Sequence, residues 1–269
     1  MSDKSKRPSS LAITKKVAEL LERGDAAVVI TVARGENVGA KLVIDQAGTA
    51  LGSLGDLDLL VGPEVAKFLQ SRDETRLVSV KDFAPEFPFA GETSLLFERL
   101  QASPRLVVCG AGHVGASLAK LGAFLGYETT LIDDRAEFLQ RDRFANEEIE
   151  LVVASDWGSA VREVIGNGRG VSVAVVTRGH SEDEQCMRAV IETRPDYVGL
   201  IGSKRRTTIV IDRLREAGAS EEELRKIRAP IGLDMGAVSP EEVALAIVAE
   251  IVAERHGAAG GSLSAWRRK

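Results

Sequence analysis

The apolar positions change rhythm about a third of the way along the chain. Within 9–23, Leu11, Ile13, Val17, Leu20 and Leu21 fall on one helical face. The run AAVVITVA at 26–33 is β-branched and of strand length, and Arg34-Gly35-Glu36-Asn37 stops it. Two short strands are predicted at 41–44 and 49–51, separated by the turn-type stretch Asp45-Gln46-Ala47-Gly48. Gly62-Pro63 ahead of EVAKFLQ predicts a short helix with its proline in the first turn. Two more strands are predicted at 76–81 and 93–100. Strands and helices do not alternate strictly here, so residues 1–100 are expected to form a small α+β domain. The segment FAPEFPFAGE at 83–92 carries two prolines and reads as a domain linker in preference to a loop crossing the domain face.

From Pro104 onward the pattern alternates regularly. Nearly continuous apolar runs at 105–109, 129–133, 150–154, 171–177 and 196–202 are separated by helical patterns at 114–125, 160–165, 182–193 and 204–217. A last helix is predicted over 240–255, where Ser239-Pro240-Glu241-Glu242 offers a cap, a first-turn proline and acids beside the dipole. Uninterrupted apolar strands suit a sheet covered on both faces. Strand–helix repetition of this kind specifies an α/β fold, a Rossmann-like doubly wound parallel sheet spanning 101–256. The tail at 257–269 is expected to be flexible.

Composition narrows the function. The 269 residues include 35 basic and 40 acidic side chains, a formal charge of −5, so no global attraction to nucleic acid or anionic lipid is expected. Aromatic residues are 4% of the chain against 26 glycines, a poor basis for a base-stacking platform. Two cysteines, Cys109 and Cys186, supply neither a disulfide framework nor a thiolate metal site. No metal site is expected. The polar start MSDKSKRPSS and the lack of a long apolar stretch point to a cytoplasmic protein without a membrane span.

The most informative motif is Gly110-Ala111-Gly112-His113-Val114-Gly115, which directly follows an apolar strand and opens an apolar helix. In that setting Gly110 permits a tight turn, Gly112 lets a phosphate approach the backbone, and Gly115 lets helix lie close on strand. The helix amides then face an anion. Asp133, at the end of the next strand, is positioned to accept from a ribose diol, and Arg135 can partly offset its repulsion of a 2′-phosphate. His113 at the helix entry is open between a phosphate contact and a solvent-facing role.

Two further loops fall on the same rim. Thr177-Arg178-Gly179-His180, with Asp183 beyond, follows one strand, and Gly202-Ser203-Lys204-Arg205-Arg206 follows another. Basic residues at a helix start oppose its dipole, and an anion held between them and the amides removes the conflict. An anion site is therefore preferred to a solvated basic turn. Ala229-Pro230-Ile231-Gly232-Leu233-Asp234-Met235-Gly236-Ala237 precedes the last helix, and Asp234 can orient a ligand's ring nitrogen or amine, or cap the loop. Cys109, at a strand end, is expected to be a buried small apolar residue.

VVCGAGHVG, LIDDR, VVTRGHSEDE, YVGLIGSKRR and APIGLDMGAVSPEEVALAI, in that order, resemble the XdhC/CoxI family, across about 105–253. These are accessory proteins of molybdenum hydroxylases such as xanthine dehydrogenase and CO dehydrogenase. The resemblance implies a small N-terminal domain before a Rossmann domain, and a chaperone that binds molybdenum cofactor and supports its sulfuration and insertion. It implies that Gly110, Gly112, His113, Gly115, Asp133, His180, Ser203, Lys204, Arg205, Gly232 and Asp234 surround the cofactor, as molybdopterin or its dinucleotide form. The implied partners are a client hydroxylase and a cysteine desulfurase; self-association stays open. The chain departs from the family in two places. The glycine-rich stretch at 48–55 lacks the family's cysteine, so no thiol chemistry is expected from that loop, and Arg178 replaces a frequent histidine. The competing readings are an NAD(P)-dependent oxidoreductase using the same glycine loop, and a nucleotide-binding scaffold.

Overall fold

A computed structural model describes residues 10–22, 25–45, 47–71 and 73–264. The chain divides into two compact units, Met1–Ala102 and Ser103–Lys269.

The first unit contains helix α1 (Ser10–Glu22), strands β1 (Ala27–Arg34), β2 (Lys41–Asp45) and β3 (Ala50–Gly52), helix α2 (Gly62–Gln70), and strands β4 (Thr75–Ser79) and β5 (Ser94–Leu100). The flanking Ser9 and Arg23 of the predicted first helix lie outside the described residues. The strands form an antiparallel sheet in the order β3-β2-β1-β5-β4. Alternation within β1 explains its largely apolar sequence: Val28, Ile30 and Val32 join a core with Val65 and Phe68 of α2, while Ala27 and Val29 join Ile13 and Leu20 of α1. The expected linker at 83–92 is corrected here. It connects β4 to β5, which are paired neighbours, and Phe83, Ala84, Phe87 and Ala90 pack on the unit's core. Successive turns closed by Ala84, Phe87 and Ala90 amides put those apolar residues on one side.

The second unit contains β6 (Arg105–Cys109), α3 (His113–Phe124), β7 (Glu128–Asp133), β8 (Ile149–Val153), α4 (Trp157–Ile165), β9 (Val171–Val175), α5 (His180–Thr193), β10 (Tyr197–Leu200), α6 (Lys204–Glu216), α7 (Glu221–Lys226), β11 (Ile227–Arg228) and α8 (Pro240–Arg255). The sheet is parallel throughout, in the order β11-β10-β9-β6-β7-β8. Its two faces are both buried: Leu106 and Val108 of β6 meet the α3 and α8 side, and Val107 and Cys109 meet the α4, α5 and α6 side. This is the Rossmann-type α/β sheet expected beside a smaller α+β unit. Strands β9 and β10 end earlier than the apolar runs do, and the surplus residues form rim loops. α8 opens on a capping box, with Ser239 accepting from the Glu242 amide at 3.2 Å and Glu242 accepting from the Ser239 amide at 3.0 Å. Within the expected flexible tail, Gly260 lies against Leu233, and 265–269 fall outside the described residues. Among the described residues no helix is long and apolar enough to cross a membrane.

Candidate functional site

Because all six strands run the same way, their carboxyl ends share one rim. β6 lies between β9 and β7, the point where successive connections reverse direction and ligands gather in sheets of this kind. The three glycines of the loop after β6 separate by role. Gly110 has φ +116°, and a Cβ there would sit 2.6 Å from the Val176 carbonyl oxygen, so the loop closes against the chain leaving β9. A Cβ at Gly115 would lie 1.7 Å from the Gly110 carbonyl oxygen, so α3 can rest on the strand end only without a side chain there. A Cβ at Gly112 would meet nothing within 4 Å. Packing does not require that glycine. Its bareness leaves open the approach to the amino end of α3, where the N-cap is Gly112 itself and no side chain among the described residues caps the helix amides. His113 is exposed in the first turn.

Asp133 ends β7 with only 1% of its surface exposed. Its carboxylate accepts from the Ala111 amide at 2.6 Å, the Arg135 amide at 3.0 Å, Arg135 Nε at 2.8 Å and Arg135 Nη2 at 3.0 Å. Burial pushes this carboxyl up, but the Arg135 guanidinium and the two amides together hold it below the usual carboxylate range. A carboxylate has about four acceptor sites, and these four bonds occupy them. In this structure Asp133 anchors the glycine loop through Ala111 and is paired with Arg135. Arg135 does neutralise it, with its guanidinium 3.9 Å from the Phe138 ring centroid. The next residue, Asp134, receives both terminal nitrogens of Arg178 at 3.2 and 2.9 Å, and Arg178 Nε lies 3.3 Å from Glu182. Neither Asp134 nor Arg178 stood among the expected ligand contacts; the signal for both was adjacency to Asp133 and to the TRGH turn.

The loops after β9 and β10 are tied by a buried ion pair. Asp183, fully buried in α5, accepts from the Thr177 hydroxyl at 2.6 Å and from Arg206 Nε at 2.9 Å; Arg206 Nη2 also reaches the Thr177 carbonyl at 3.2 Å. The basic cluster at the start of α6 thereby splits. Arg206 turns inward to Asp183, and Ser203 caps α6 by accepting the Arg206 amide at 3.3 Å. The side chains of Lys204 and Arg205 are exposed and form no hydrogen bond or ion pair among the described residues. His180 is exposed as the first residue of α5. With strands about 4.8 Å apart, the loop of β9 stands next to the glycine loop and the loop of β10 about 10 Å along the rim.

Gly232 braces the last loop. At φ +105° its amide donates to Glu250 Oε2 at 2.7 Å, which also accepts from the Tyr197 hydroxyl at 2.6 Å. Burial, followed by that contact with Glu250, drives the Tyr197 phenol far up. Asp234 is exposed and caps nothing, without a donor among the described residues. It lies in the loop that leads from β11 to α8, where the Leu233 amide donates to the Ala246 carbonyl at 3.1 Å. Cys109 and Cys186 are both buried in one apolar cluster, and burial pushes the Cys186 thiol well up.

Residues 106–251, which include the glycine loop, both polar rim loops and most of α8, match the model of the XdhC Rossmann domain. The chain belongs to that family. Over 158 residues the XdhC-family chain is 33% identical to the uncharacterised protein YqeB of Escherichia coli K12, covering 59% of this chain and 28% of that one. It is 25% identical to a probable xanthine dehydrogenase subunit from Bacillus subtilis (62% and 48% covered). It is 38% identical over 69 residues to the molybdenum cofactor insertion chaperone PaoD of Escherichia coli K12 (26% and 22%). The chain thus spans less than half the length of these curated relatives. A crystal structure of a xanthine dehydrogenase from Bacillus halodurans shares the fold over 91% of this chain and 67% of that one, with TM-score 0.64 and 18% identity.

Proposed function

We propose that this XdhC-family chain is an accessory protein of molybdenum hydroxylase maturation, whose glycine loop holds the phosphate of the molybdenum cofactor as cargo. One observation carries the reading: Gly112 stands bare over uncapped helix amides although no packing contact calls for glycine there. The unpaired Lys204 and Arg205 extend positive potential along the same rim, within a protein of net charge −5. His113 and His180, exposed in the first turns of α3 and α5, and Ser203 complete the polar lining. In this reading Asp234, exposed in the loop before α8, serves the pterin edge of the cargo. The names of the relatives support the same reading, one being an insertion chaperone and another part of a hydroxylase. Sulfuration of the cargo, with a cysteine desulfurase as donor, and delivery to a hydroxylase client in the cytoplasm belong to this proposal. A nicotinamide oxidoreductase fits less well, because Asp133 has no acceptor left for a nucleotide ribose.

The test is denaturing release and mass analysis of small molecules from freshly purified protein. Molybdopterin, or its dinucleotide form, is the expected release product. Protein from molybdenum-replete cells that neither carries a pterin nor takes one up would sink the proposal, and bound NAD(P) would restore the oxidoreductase.

A further inference from the structure

The Arg178–Asp134 pair has an unusual position. Arg178 leaves β9 and Asp134 leaves β7, the two strands that flank β6. A bidentate bond between them therefore spans the carboxyl end of β6, where the glycine loop opens. Both side chains reach solvent, Arg178 at 47% and Asp134 at 30% exposure, so the pair is neither locked by burial nor part of a core. Glu182 touches the remaining nitrogen of the same guanidinium. An ion pair this exposed is weak in water, and a stronger anion exchanges with it readily.

We infer that Arg178 is the exchangeable cation of the glycine-loop site: a phosphate monoester entering beside Gly112 displaces the Asp134 carboxylate from the guanidinium and takes its place. The inference rests on the reading that this loop binds phosphate, and it names the ligand class. A monoester carries a charge of about −1.5 to −2 near neutral pH and outcompetes a carboxylate for a planar guanidinium. In a dinucleotide each phosphate is esterified further and keeps one ionisable oxygen, so it competes with Asp134 on equal terms. The occupied acceptors of Asp133 add no ribose grip to offset this. The rim is thus selective for a terminal phosphate over a pyrophosphate bridge.

Calorimetric titration of the full chain with phenyl phosphate and with NAD⁺ tests this in wild type, Asp134→Asn and Arg178→Ala. Asp134→Asn removes the competitor and is expected to bind phenyl phosphate about fivefold tighter, the scale of an exposed ion pair. A gain of affinity is not a result that misfolding produces. Arg178→Ala is expected to bind it about tenfold more weakly, as for loss of charge-assisted hydrogen bonds. Asp134→Asn binding no tighter than wild type, or Arg178→Ala binding equally well, overturns the exchange, and wild type preferring NAD⁺ overturns the selectivity. If wild type takes up neither ligand, the phosphate-loop reading falls first and the inference goes with it.

Discussion

Asp133 and Asp183 are both carboxylates almost without solvent contact, and their surroundings move them in opposite directions. Asp133 is held below its ordinary value of 3.8, so its contribution to stability is complete above that value and is lost as pH falls through the lower folded one. Asp183 is raised: burial outweighs the Thr177 hydroxyl and the Arg206 guanidinium, which both pull it down. The cost of its charge is therefore absent below pH 3.8 and grows as pH rises through the raised folded value. Arg206→Met removes the cation that limits this cost. It is expected to destabilise the protein by about 3 kcal/mol near neutral pH, the scale of a broken buried pair. The loss should shrink on acidification, because Asp183 without its cation takes up a proton more readily. Urea unfolding at about pH 4.5 and about pH 7.5 measures it, and an equal loss at both values contradicts the charge argument. Replacing both partners, Arg206→Met with Asp183→Leu, should recover much of the stability, because no unpaired charge stays buried.

The glycine loop separates fold from function on a single element junction. Gly115→Ala would set a methyl group 1.7 Å from a backbone oxygen. That oxygen belongs to the turn and cannot rotate away, so α3 must lift from β6 at a cost of about 3 kcal/mol or more. Gly112→Ala meets no atom within 4 Å and should leave the melting temperature nearly unchanged while weakening phosphate uptake. Thermal melts and phosphate titration of the two variants give opposite patterns if this division is right; a fold-neutral Gly115→Ala would reject it. These elements were legible because β6 and its neighbours are apolar on both faces and glycine spacing reports close backbone approach. The remainder lacked a local signal. EEELRK forms α7 and Ile227–Arg228 a two-residue edge strand, neither long enough to show a period. The stretch at 83–92 carries two prolines, yet its phenylalanines Phe83 and Phe87 pack on the core. The role of Arg206 depends on Asp183, 23 residues away in sequence, and the saturation of Asp133 depends on a side chain folding back two residues. Pairings of that kind are set by the tertiary fold and leave no trace in periodicity.

At the scale of the whole molecule, each unit holds its own cores. One set of clusters draws only on residues between Ile13 and Leu100, the other only on residues between Leu106 and Ile251. The second unit also contains every strand end of the rim, the glycine loop, and both ion pairs beside it. A fragment of residues 103–269 has a sheet covered on both faces and a size in the ordinary domain range, so it is expected to fold alone. It should unfold cooperatively in urea and bind phenyl phosphate within about threefold of the full chain, a difference of less than about 1 kcal/mol. Retained folding with lost binding would mean that the first unit supplies part of the phosphate site, and the rim described above would be incomplete. Retained binding would confine cargo recognition to the XdhC Rossmann domain and leave the N-terminal sheet, with its cysteine-free glycine loop at 48–55, for a task other than holding the phosphate.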